Sequence, residues 1–264
     1  MMKIGVIGAS GRMGQAVLHE AQTQGLEPAA AIVGAHSTKR GERTVAGLQF
    51  IDGSELTAAA VDVLVDFSLP AALPANVELA ERLGAPLVVC TTGLAAEQHR
   101  LLDRAAVSVP VLYAANTSVG ICLLEQLVEL ASASLPDADI EITEAHHSAK
   151  RDGPSGTALV LGEAAARGRG TTLAEVSAGV RGDGLRQAES IGFSVIRAAD
   201  IIGEHSVLLA QPGERVELNH RVSDRRIFAR GALQAAQWLV RQPAGRYRMA
   251  DSLNLTAHLR KLLV

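Results

Sequence analysis

The sequence predicts an α/β chain: a parallel sheet wound with helices, followed by a smaller α+β part with a mixed sheet. Three observations carry this reading. Short, β-branched apolar runs alternate with amphipathic helical runs over the first 117 residues. The chain is 48% hydrophobic but only 3% aromatic, so its core must be built from Val, Leu, Ile and Ala. Buried parallel strands covered by helices use that palette well. Beyond residue 117 the rhythm changes to a helix, a strand, a helix and then three strand-like runs in succession. A length of 264 residues suffices for one large or two modest cores.

The elements follow in order. "KIGVIG" is strand-like, and "RMGQAVLHEAQTQG" reads as a helix closed by Gly25. "PAAAIV" is a second short strand. "VDVLVDF" and "APLVVCTT" have the character of central parallel strands, with the helix "AALPANVELAERLG" between them and Pro74 near its start. After the helical "LAAEQHRLLDRAAVS" comes the buried strand "VPVLYAAN". The second part holds the helix "SVGICLLEQLVELASASL", the strand "DADIEITEAHH" and the helix "SGTALVLGEAAARG". "IGFSVIRAAD", "GEHSVLLAQ" and "ERVELNHRVS" are consecutive strands, and "RIFARGALQAAQWLVR" is the last long helix. "RGRGTT" and "RGDGLRQAES" read as mobile loops. The expected division is residues 1–117 as one domain, with helices from about 230–264 returning to it, and 118–229 as the other. No internal repeat is present.

Composition excludes some classes. A net charge of −3 argues against a nucleic-acid-binding domain. Cys90 and Cys122 sit in apolar stretches and read as buried free thiols. The N-terminus reaches glycines too soon for a signal peptide, and no apolar run would span a bilayer. The expectation is a soluble cytoplasmic protein without membrane or nucleic-acid partners.

"VIGASGRMG" sets Gly8, Gly11 and Gly14 between a strand and a helix. Glycine there lets backbone approach a pyrophosphate, and a helix N-terminus supplies amides. The pattern points to a Rossmann-type dinucleotide-binding domain. Arg12 can reach a phosphate or the adenine side, or stand solvated in the first helical turn. The acid that would hold the ribose 2′-hydroxyl of NAD is missing after the second strand, where Val33 and Gly34 stand. His36, Lys39 and Arg40 follow. They can meet a 2′-phosphate or form a solvated loop.

"EAHHSAKRDGPSGTAL" concentrates chemistry in one stretch. Adjacent strand residues point to opposite faces, so His146 and His147 do not easily share a metal ion, and no ligand spacing completes a set. No metal is expected. Pro-Ser-Gly-Thr starts a helix that Ser155 can cap, and the amides of Gly156 and Thr157 with the Thr157 hydroxyl make a carboxylate site. Lys150 can supply a cation or a proton, and His146 suits a general acid. Asp152 is expected to shape the turn through backbone amides. The bland alternative is a capped helix with two surface histidines.

These motifs together resemble the 4-hydroxy-tetrahydrodipicolinate (dihydrodipicolinate) reductase family. The resemblance continues through "DFSLP", "TTG", "AANTSVG", "IGFSVIRAADIIGEH" and "GERVELNHR", nearly the whole chain. It implies NADH- or NADPH-dependent reduction of 4-hydroxy-tetrahydrodipicolinate to tetrahydrodipicolinate with loss of water, in lysine and diaminopimelate biosynthesis. Carried over by motif, His146 donates or accepts a proton and Lys150 is also a proton donor. His147, Gly156 and Thr157 bind the substrate carboxylate. The dinucleotide meets Gly8, Ala9, Ser10, Gly11, Arg12 and Met13, then Cys90, Thr91 and Thr92, then Ala114, Ala115, Asn116 and Thr117. Arg225 is a weaker candidate for the second carboxylate. The resemblance also implies a homotetramer joined through second-domain sheets.

The chain departs from the family pattern at three further positions. Cys90 stands where glycine often precedes "TTG", Thr117 where an aromatic often follows "AAN", and Gly153 where alanine is usual before "PSGT". Two other readings compete: a catalytically silent dinucleotide sensor, opposed by retention of His146 and Lys150, and another Rossmann oxidoreductase, opposed by "HHSAK…PSGT".

Overall fold

The computed structural model describes residues 1–44, 46–254 and 261, so the end of the expected returning segment lies outside the described residues. The chain forms two compact units, Gly120–Arg225 and the remainder, Met1–Val119 with the chain from Arg226.

The first unit contains β1 (Lys3–Ile7), α1 (Arg12–Thr23), β2 (Glu27–Val33), β3 (Phe50–Asp52), β4 (Val63–Asp66), α2 (Leu73–Leu83), β5 (Leu87–Val89), α3 (Ala96–Ala105) and β6 (Pro110–Tyr113). The second contains most of α4 (Val119–Ser134), then β7 (Asp139–His146), α5 (Gly156–Gly168), α6 (Leu173–Val176), β8 (Ser177–Val180), β9 (Ile191–Arg197), β10 (Gly203–Gln211) and β11 (Glu214–Val222). The chain then adds α7 (Arg226–Leu239), β12 (Gly245–Arg248) and α8 (Met249–Leu253) to the first unit.

The first sheet has the order β12-β6-β5-β4-β1-β2-β3, and its pairings are parallel. Connections leave β1 in both directions across the sheet. That creates a switch point at its C-terminal edge, where open α/β sheets bind ligands. Val63, Leu64, Val65, Leu87, Val88 and Val89 are fully buried, as the low-aromatic composition requires. α2 ends on Gly84 in the left-handed conformation, a common helix stop. α7 packs against α1, β4 and β5. Its close approach needs Gly231, where a Cβ would overlap the Thr117 carbonyl oxygen.

The second sheet has the order β11-β10-β7-β9-β8. β7 and β9 are parallel, and β10 is antiparallel to β7 and β11. Its core face carries Ile140 and Ile142 from β7, Ile191 and Phe193 from β9, and Val207 and Leu209 from β10, packed with Leu161 and Ala165 of α5.

β3, β8 and β12 escape a reading by hydrophobic run: each has three or four residues and sits at or next to a sheet edge. "RGRGTT" begins in the last residues of α5, and "RGDGLRQAES" forms the loop between β8 and β9. Arg167 and Gly168 close α5. Arg181 donates its amide to Phe193 O at 2.8 Å and pairs with Glu141, and Arg186 pairs with Asp139 at 2.7 Å. Charged pairs tie down segments that composition marks as loose. Among the described residues no helix is long and apolar enough to cross a membrane, and Cys90 and Cys122 are buried free thiols.

Candidate active site

In the first unit, four loops follow adjacent strands at the C-terminal edge of the sheet. The loop after β1 turns at Gly8, whose φ of +75° suits glycine, and a Cβ there would lie 2.7 Å from Phe67 O. Gly11 N donates to Gly8 O at 3.0 Å and Ala9 N to Ile32 O at 3.1 Å. Gly14 lies inside α1 rather than in the loop. A Cβ there would overlap Gly8 O, so this glycine lets the helix start press against the turn. Ser10, Gly11 and Arg12 are exposed, Met13 is half-buried and Ala9 is buried.

The loop after β4 is held by Asp66, which is fully buried. Its carboxylate accepts from Ser68 N at 2.8 Å and from Asn76 Nδ2 at 3.0 Å, and the same amide reaches Ser68 Oγ at 2.9 Å. Burial pushes this carboxyl up, and the hydrogen bonds only partly offset it. The Thr91 hydroxyl adds to that lowering, although its geometry falls short of a full hydrogen bond. Cys90 follows β5, with its amide on Asp66 O at 2.8 Å. Burial, then the Asp66 charge, hold its thiol well above the usual range. Cys90 is therefore a protonated packing group rather than a nucleophile.

Ala114 to Thr117 follow β6. Ala114 N donates to Val89 O at 3.0 Å, and Asn116 Oδ1 accepts from Ser118 N at 2.9 Å. Thr117 is buried and its hydroxyl donates to Phe228 O of α7 at 2.7 Å, so this side chain is committed to packing. Beyond β2, Lys39 pairs with Glu42 and Arg40 with Glu55, each at 2.9 Å on the surface.

In the second unit, the apolar core stripe of β7 turns polar at its end. Residues two apart on a strand share a face, so Ile140 and Ile142 are continued by Glu144 and His146. Glu144 is fully buried, and its side chain receives His146 Nδ1 at 2.6 Å, Arg197 at 2.8 and 2.7 Å, and Ser155 N at 3.0 Å. Burial pushes this carboxyl up, but Arg197 and then His146 more than offset it, and the net shift is downward. Sheet register explains the meeting: His146 is opposite Arg197 on β9, and Glu144 is opposite His205 on β10.

Ser155 caps α5, accepting from Ala158 N at 3.2 Å. Its hydroxyl also meets His205 Nε2 at 3.0 Å. Burial, then the neighbouring His146, lower the His205 pKa to about 4, so at neutral pH its ring is uncharged beside that hydroxyl. His146 and His205 meet edge to face at 5.3 Å. Gly156 opens α5 beside free space, since a Cβ there would meet nothing within 4 Å. Lys150 Nζ holds Asp152 at 2.7 and 2.6 Å. Lys150 joins the backbone partner expected for Asp152: its carboxylate is held below the usual range first by Lys150, with its own amide adding to the effect.

Comparison with known proteins decides the family. A sequence pattern described as "Dihydrodipicolinate reductase, N-terminus" matches residues 2–117, and its C-terminal counterpart matches 120–253. The chain belongs to the dihydrodipicolinate reductase family. A 4-hydroxy-tetrahydrodipicolinate reductase from Zymomonas mobilis is 46% identical over 96% of this chain and 98% of its own length. One from Pseudomonas fluorescens Pf-5 is 40% identical over 97% and 100%. A dipicolinate-bound dihydrodipicolinate reductase from Paenisporosarcina sp. TG-14 shares the fold, with a TM-score of 0.75 at 21% identity over 94% of this chain and 97% of that one. The family's C-terminal pattern runs through α7 and β12, which pack with the first sheet.

Within this family member, the thirteen candidate dinucleotide contacts lie on three loops of one sheet edge, with Arg12 and Met13 opening α1. His146 ends β7, His147 and Lys150 lie on the β7–α5 connection, and Gly156 and Thr157 open α5. Arg225 is exposed at the end of the second unit. Sequence reasoning missed Arg197, His205 and Gly203. A Cβ on Gly203 would lie 3.2 Å from His146 Nε2. Their shared signal is the run "SVIRAADIIGEH", where a buried strand ends in a cation and its neighbour begins with glycine and a histidine.

Proposed function

We infer that this chain catalyses the reaction for which its relatives are named, the reductive conversion of 4-hydroxy-tetrahydrodipicolinate to tetrahydrodipicolinate with loss of water. It is an NAD(P)H-dependent oxidoreductase, and the carrying observation is near-full-length identity of 40–46% to such reductases. The residues fit a pyridine nucleotide, because Gly8 and Gly14 let the turn after β1 pack tightly against its neighbours and leave Ser10, Gly11 and Arg12 exposed at the start of α1. Gly8–Met13, Cys90–Thr92 and Ala114–Thr117 are proposed to hold it. When bound, the reduced nicotinamide supplies the hydride.

The remaining chemistry belongs to side chains. The amides and hydroxyl at Gly156 and Thr157, with His147, are proposed to bind one carboxylate of the cyclic dicarboxylate. A helix N-terminus favours an anion. His146 is proposed to hold a proton on Nε2, because its Nδ1 is turned to the Glu144 carboxylate. Lys150 is proposed as a second donor, released from Asp152 as substrate carboxylates compete for its charge. Positioned proton transfer contributes roughly 10²–10⁴-fold to such reactions.

NADPH is proposed to be used at least as well as NADH, because no acid stands at Val33 or Gly34 and Lys39 and Arg40 follow. A homotetramer in the cytoplasm is proposed from the family resemblance. It fits a second-unit sheet whose β11 leaves Val216 38% exposed, and two thiols that stay free. The test is a coupled assay with freshly generated 4-hydroxy-tetrahydrodipicolinate, following NADH and NADPH separately, together with the mass in solution. Oxidation of neither nucleotide rejects the reductase reading. A strong NADH preference removes the role of Lys39 and Arg40, and a monomer rejects the assembly.

A further inference from the structure

We propose that Glu144 and Arg197 form a buried positioning pair that sets the working nitrogen of His146 and the place of Lys150 at the same time. The inference deepens the reading above, since it rests on His146 and Lys150 as the proton-delivering groups.

The Glu144 carboxylate is engaged entirely by protein groups. It is fully buried and both oxygens are occupied: Oε1 by Ser155 N and Arg197 Nη2, Oε2 by His146 Nδ1 and Arg197 Nη1. An ionised carboxylate only accepts, so His146 must donate from Nδ1. That leaves Nε2 as the nitrogen that gains and gives the mobile proton. Nε2 lies beside Gly203, where a side chain would crowd it.

Arg197 carries the same constraint to the lysine. Besides its fork on Glu144, it donates Nε to Lys150 O at 3.2 Å and Nη2 to Asp152 O at 2.6 Å. One guanidinium therefore fixes the backbone on both sides of Arg151 and the carboxylate that orients His146. A lysine has one compact donor head and cannot reproduce this fork. The other titratable groups around the pair are His205 and His220 on the β10–β11 side, and Lys150 and Asp152 on the loop.

The experiment uses full-length Glu144→Gln, Arg197→Lys and Arg197→Met, with His146→Gln as control. For Glu144→Gln we expect an unchanged dinucleotide Kd and a kcat lowered by about 10²-fold or more. Its pH–rate profile should change, because the group that fixes which ring nitrogen carries the proton is altered. Nitrogen-15 NMR of the histidines should show neutral His146 protonated at Nδ1 in the parent and at Nε2 in Glu144→Gln. Arg197→Lys should recover part of the kcat lost in Arg197→Met. An unchanged tautomer and pH profile in Glu144→Gln overturns the proposal. If Glu144→Gln does not fold, Arg197→Lys with parental kcat and pH profile overturns it instead. Normal turnover by His146→Gln would reject the proton-donor reading, while the tautomer measurement would still judge the pair.

Discussion

Asp66 and Glu144 are both fully buried carboxylates near the C-terminal ends of core strands, yet their surroundings shift them in opposite directions. Asp66 has neutral donors, Ser68 and Asn76, and burial wins: its carboxyl is raised. Glu144 has Arg197 and His146, and the cations win: its carboxyl is lowered. The difference separates two kinds of support. The first holds a backbone wall beside the glycine turn, where shape matters and charge would be a liability. The second holds an ionisable side chain, where a fixed charge sets which ring nitrogen faces it.

Removing the charged support should do the most damage. Glu144→Ala leaves the Arg197 fork and His146 Nδ1 without their acceptor, and breaking a buried pair in this way costs about 3–5 kcal/mol. Urea unfolding should show the unfolding free energy extrapolated to water falling by that amount, with a lower midpoint. The same region should govern acid sensitivity. The His205 pKa is lowered to about 4 in the folded chain, so it contributes stability present above its unfolded value of about 6.5 and lost as pH falls through about 4. The contribution is on the order of 3 kcal/mol. Glu144, also lowered, adds a loss in the same direction below its own unfolded range. A pH series of unfolding curves should therefore drop steeply between about pH 6.5 and 4, and His205→Gln should flatten it.

Smaller effects belong to the other region. Gly14→Ala forces a Cβ onto the Gly8 carbonyl and should cost about 1–3 kcal/mol, with weakened dinucleotide binding visible by fluorescence titration. Asp66→Asn keeps an acceptor for Ser68 N and removes a charge that burial disfavours. It should change stability by about 1 kcal/mol or less. Because the Asp66 carboxyl is raised, its contribution is greatest at low pH and fades as pH rises through its folded value. Asp66→Asn should therefore improve relative to the parent as pH rises. A loss comparable to Glu144→Ala would erase the contrast between the two carboxylates.

Local pattern revealed much of this molecule, because its key segments are contiguous. The glycine turn, the parallel strands and the "EAHHSAKRDGPSGTAL" connection each declare themselves within a few residues. Arg197 does not. It reaches Glu144 only because β9 lies parallel beside β7 in a sheet ordered β11-β10-β7-β9-β8, and no local period encodes that order. His205 is hidden likewise, since only the β10 register brings it to Ser155. Asp152 is legible only in part: turn chemistry suggests a backbone partner, and a lysine two residues away is a stronger one beside it. The Thr117 hydroxyl bond to Phe228 O is equally hidden, since it joins residues more than a hundred positions apart and Gly231 is what permits the close approach.

The most direct measurement sets turnover and dinucleotide affinity side by side for the parent and His146→Gln, using freshly generated 4-hydroxy-tetrahydrodipicolinate. The predicted result is a split: kcat falls by about 10²-fold or more, while the Kd for NADPH and NADH stays at the parental value. Equal turnover in the two proteins would contradict the account.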